Sequence, residues 1–77
     1  MAIVIDKEKF TALLPLIQGL DGFIGSAVQN TYTLKCSFQS GFACLISRND
    51  KNSNLSVHFE KIEKDETNHF IILSAIN

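Results

Sequence analysis

A surplus of charge is what this chain most conspicuously lacks. Its 77 residues carry Lys+Arg 7 against Asp+Glu 8, for a formal net charge of -1. Binding to a phosphate backbone draws on a basic surplus that displaces counterions, so the composition argues against a nucleic-acid partner. With no acidic surplus, mimicry of DNA is equally unsupported. Long apolar runs are missing too. The opening MAIVIDKEKF holds only the short run Ala2 to Ile5, far below the core of a secretion signal. No stretch approaches the roughly 20 apolar residues of a membrane span. The expectation is a cytoplasmic chain with no membrane contact.

Chemistry-bearing residues are also sparse. There are two cysteines and two histidines, and none of them stand at a short chelating spacing. Neither a metal nor another cofactor is expected. Cys36 and His58 are the one nominal nucleophile–base pair, and strand parity sends them to opposite faces. Glu60, Glu63, Asp65 and Glu66 interleave with Lys61 and Lys64, the composition of a solvated turn. No catalytic constellation emerges, so no enzyme is expected.

What is present suits one small domain spanning residues 1–77. Hydrophobic residues make up 45% and charged residues 19%, enough apolar material for a core. Residues 6–18 read as a helix with Asp6 as N-cap. Ile5 and Phe10 then hold the positions of a hydrophobic staple. Phe10, Leu13, Leu14 and Ile17 form one apolar stripe. Pro15 interrupts it and predicts a kink, or a split into two short helices. Ser26 to Asn30 reads as a short second helix or a connector.

Residues 31–39, TYTLKCSFQ, alternate between an apolar face (Tyr32, Leu34, Cys36, Phe38) and a polar one. A second strand covers 42–48. A three-residue loop, Gln39-Ser40-Gly41, pairs Phe38 with Phe42, Cys36 with Cys44 and Leu34 with Ile46. It also puts Gly41 where such a hairpin wants a left-handed residue. Cys36 and Cys44 are then expected as buried free thiols. Strand three covers 55–62, residues 63–67 make a charged turn, and NHFIILSAI (68–76) reads as strand four. The expected architecture is α+β: an N-terminal kinked helix, or two short helices, then a four-stranded antiparallel β-meander with the helix packed on one face.

The segment Gly19-Leu20-Asp21-Gly22-Phe23-Ile24-Gly25 carries a glycine at every third position. It lacks the order and spacing of a dinucleotide fingerprint and has no P-loop lysine. Read structurally, Gly19 caps the helix, Asp21-Gly22 turns the chain and Gly25 permits close packing. Residues 17–24 also resemble the GXXG loop of K-homology domains, which joins two helices and clamps a nucleic-acid backbone. Ala2 to Ile5 stands in for the preceding strand. The resemblance implies, as an alternative function, single-stranded nucleic-acid binding through this loop, with Lys7 and Lys9 nearby in sequence.

The 68–76 strand is apolar at both parities, so the second sheet face acquires its own apolar patch. Either residues 19–30 fold over that patch or it is an interface. The interface reading gives a protein-binding module that occludes a partner's surface, a regulator or inhibitor of the kind phages and mobile elements encode. A homodimer through the same face is its variant. The expected contact set is Leu45, Ile62, Ile71 and Leu73, with Lys35 and His58 as polar rim.

Overall fold

Gly41 sets the register of the central hairpin. It has φ 101, open to glycine and strained for other residues. Its N–H donates to the Phe38 carbonyl at 3.0 Å. The strands on either side pair as the alternation predicts, Cys36 with Cys44 and Leu34 with Ile46. Both cysteines are free and buried.

The computed structural model describes residues 2–30 and 32–77. Met1 and Thr31 lie outside the described residues, so the first residue of the strand expected over 31–39 is among those left out. The chain runs β1 (Ala2–Ile5), α1 (Lys7–Gln18), β2 (Phe23–Asn30), β3 (Thr33–Phe38), β4 (Ala43–Arg48), β5 (Leu55–Glu60), a 3₁₀ turn (Ile62–Lys64) and α2 (Glu66–Ile76). The strands form a 5-stranded sheet in the order β1-β5-β4-β3-β2, antiparallel throughout. The class is α+β, with two helices and five strands in place of one helical region and four strands.

Helix α1 begins where expected. Asp6 sits in extended backbone and its carboxylate accepts from the Lys9 N–H at 2.7 Å. Leu13 and Ile17 are buried, and Phe10 and Leu14 pack against the same core. The helix runs through Pro15 without a split. Pro15 is exposed and lies in the last turn, so its missing N–H costs one bond near an end that frays anyway.

Beyond β1, an edge strand absent from the expected meander, two elements depart from the sequence reading. NHFIILSAI is helical, not a strand. Its apolar residues occupy every side, so it satisfies a period of two and of 3.6 alike, and periodicity does not decide between them. Start signals do. Asp65 accepts from the Asn68 N–H at 3.2 Å, and Glu66 occupies the first turn, where a carboxylate suits the helix dipole. Asn68, Ile72 and Ile76, one turn apart, are the buried stripe. Segment 23–30 is the second departure. It is an edge strand of the sheet, neither helix nor connector, and it does not fold over the second face.

Helices α1 and α2 lie together on one face of the sheet. Leu13, Ile17, Ile72 and Ile76 meet Ile5, Cys36, Phe38, Cys44, Ile46, Val57 and Phe59 in a single core. An aromatic chain closes one end of it. Phe38 and Phe42 ring centroids are 5.3 Å apart, Phe42 and Phe59 6.0 Å, and Phe59 and His69 4.7 Å.

Candidate functional site: the bare sheet face and an apolar cleft

The GLDGFIG segment joins α1 to β2, where the K-homology resemblance implies a second helix. Gly19 is right-handed at φ -89, and the left-handed residue is Gly22 at φ 80. The Phe23 N–H donates to the Leu20 carbonyl at 3.2 Å, so Leu20–Phe23 is a turn that needs a glycine in its third place. A Cβ on Gly25 would meet nothing within 4 Å, so the close packing expected there is absent. Asp21 gives the loop a negative charge.

The loop is held by a polar latch. The Asn68 side chain donates to the Asp21 carbonyl at 2.8 Å and to the Asp65 carboxylate at 2.7 Å. The same carboxylate oxygen accepts from the Ser40 hydroxyl at 3.1 Å. One buried asparagine thus ties the α1–β2 turn, the β3–β4 hairpin and the start of α2 together.

The expected contact set divides across the sheet. Leu45 pairs with Lys35 on one side and His58 on the other, so these three form a row across the face that the helices leave bare. Ile62 belongs to the 3₁₀ turn, and Ile71 and Leu73 to α2. Ile62 and Leu73 pack against the core. Ile71 and Leu73 join the helical layer because the strand that would have carried them to the second face is a helix, and Ile62 leaves the sheet because β5 ends at Glu60, where left-handed Lys61 (φ 55) turns the chain.

The bare face is built mostly of small side chains. Ala43, Ser47, Ser37, Thr33, Ser56 and Ala27 surround Leu45 in the cross-strand register. Lys35 Nζ lies 3.5 Å from Glu60 Oε2, across β4. Beneath that pair Ala43 is only 4% exposed, although it points away from the helices. Alanine here leaves room for the two long side chains to meet.

On the helical side, α1 and α2 stop short of one end of the sheet. The uncovered strip is an apolar cleft of 270 Å³ with Phe10 as wall and Val28, Leu34, Ile46 and Leu55 as floor. Thr33, Tyr32 and Arg48 complete the lining. Arg48 is the charged member. It follows Cys44 and Ile46 along β4, in the place where the alternation would continue the core, and it pairs with Leu55. The cleft was not anticipated from sequence. Its one advance signal was this arginine at an inward position.

The two thiols face each other inside the core. Burial raises the Cys36 thiol, and burial together with the neighbouring Cys36 pushes Cys44 up to about 12. Both are therefore weak nucleophiles in the folded state. His58 stands on the opposite face, as strand parity requires.

No protein-family model, curated protein or solved structure matches the chain.

Proposed function

We propose that the chain is a small, non-catalytic protein-binding module that acts by covering part of a partner's surface, as a regulator or inhibitor does. One observation supports this above the others: the sheet is covered on one side only. At the centre of its bare side stand Leu45 and small residues. Lys35 and Glu60 already neutralise each other there, so covering the face strands no lone charge from that pair. Lys35 and His58 flank Leu45 and supply the polar contacts. The contact set is accordingly Leu45, Lys35 and His58 with Ala27 and Ala43, without Ile62, Ile71 and Leu73.

The test is Leu45→Glu, at a half-buried position that no helix touches. A second copy of the chain is the first partner to try, by light scattering coupled to size exclusion over a wide concentration range. Lysate capture with the native and substituted chains follows. The expected result is an assembly, with itself or with a captured protein, that the substitution abolishes while far-UV circular dichroism stays unchanged. An assembly that survives Leu45→Glu in a folded chain rules this face out.

A further inference from the structure

The apolar cleft on the helical side is separate from the bare face, and its chemistry points to a different kind of ligand. Its floor is the cross-strand row Val28–Leu34–Ile46, with Leu55 beside it as the partner of Arg48. Val28 is 74% exposed, a large apolar side chain left in water at the mouth of an apolar strip. The cleft volume of 270 Å³ falls just below that of small-molecule sites, which run from roughly 300 to 1,000 Å³. That size suits a single short chain or ring.

Charge then selects the ligand. Among the described residues, Arg48 is the one charged side chain in the lining and no carboxylate lines the cleft. Among the described residues no acid pairs with Arg48. Its backbone N–H is spent on the Tyr32 carbonyl at 2.8 Å, which holds the end of β4 in the sheet and the arginine on the cleft side. A planar guanidinium beside an apolar trough recognises a carboxylate or phosphate at the end of an apolar body.

We infer that this cleft binds a small anionic amphiphile, its apolar chain laid along Val28, Leu34 and Ile46 and its acidic head against Arg48. The site is open, so binding is weak and fast.

Octanoate is the probe, with 1-octanol as the uncharged control, both titrated into the full chain and followed by backbone amide and methyl NMR shifts. The expected result is saturable shifts at Val28, Leu34, Ile46 and Leu55, with a dissociation constant of roughly 1 mM for a ligand of this size. Arg48→Gln should weaken octanoate about fivefold, the fold-change of one exposed charge pair, and leave 1-octanol unchanged. Val28→Glu, at an exposed edge position that the fold tolerates, should abolish octanoate binding by placing a like charge at the mouth. Three results overturn the inference: no saturable shift in the cleft up to about 5 mM, shifts centred elsewhere, or equal loss of octanoate and 1-octanol on Arg48→Gln. Failure of the bare face in its own test leaves this inference standing, because the two sites share no side chain argued to make contact.

Discussion

Replacing Asn68 with alanine should be among the most damaging single changes available outside the apolar core. The side chain is 5% exposed, and it makes two hydrogen bonds, to the Asp21 carbonyl and the Asp65 carboxylate. A bond to a charged acceptor contributes about 1.5–3 kcal/mol, and a neutral one about 0.5–1.5 kcal/mol. Water can re-solvate part of Asp65, so the lower part of the combined range is the better expectation, about 2–3 kcal/mol. A chain of this length has roughly 4–12 kcal/mol of total stability, so the loss is a large fraction. With a urea slope near 1 kcal/mol/M, the unfolding midpoint should fall by about 2 M. The chain has no tryptophan, so far-UV circular dichroism is the readout. Hydrogen exchange supplies a second one. The Gln39 N–H donates to the Gly22 carbonyl at 2.8 Å, and it should exchange faster once the turn loses its tether. A midpoint that moves by less than about 0.5 M would show that the latch is ornamental and that the aromatic chain alone holds this end of the molecule.

Three further outcomes follow from buried polar atoms. His69 Nε2 is buried without a hydrogen-bond partner, while its ring packs edge-on against Phe59 at 4.7 Å. His69→Phe keeps the ring and removes the unsatisfied atom, so it should stabilise the chain by about 1 kcal/mol in urea titration; a comparable loss would contradict the assignment. The thiols set an alkaline limit. Both hold their protons more tightly folded than unfolded, so their contribution is complete below the ordinary thiol value of 9.0 and is lost as pH rises through their raised folded values, about 12 for Cys44. Thermal melts between those limits should show stability falling, less so in Cys44→Ala. Thiol labelling at neutral pH should be slow in the native chain and immediate in urea, and prompt native labelling would refute the buried placement.

The hairpin was legible because its information is local and has high contrast. Leu34, Cys36 and Phe38 alternate with polar residues, and one glycine sets the loop length, so both register and face could be read. The stripe of α1 was legible for the same reason. Leu45, Lys35 and His58 inherit their shared face from that alternation. The α2 segment was not legible because Phe70, Ile71, Ile72 and Leu73 offer no contrast between neighbours, and because Asp65 stands among Glu63, Lys64 and Glu66, where a cap looks the same as the charge of a turn. Edge strand β2 failed because Gly25, Ser26 and Ala27 mask its period, and because its identity depends on pairing with β3 rather than on its own residues. Ile71 and Leu73 left the contact set as soon as the fourth strand became a helix, and Ile62 left it because β5 ends at Glu60, two residues short of the expected strand. The cleft was illegible because it is defined by where two helices end, which no short window of sequence encodes.

The order of the sheet also governs when each part of the chain can fold. Strand β1 is the first made and the last to find its place, because its partner is β5, which lies beyond every other strand in sequence. Ala2 meets His58 only across a loop that holds α1 and strands β2 to β4, by far the longest closure in the sheet. The meander, joined by short connections, is therefore the natural nucleus, and β1 docks onto a template already formed. On the ribosome, the uncharged segment AIVI would wait as an unpaired strand until β5 is made, a window in which it can pair with another nascent chain.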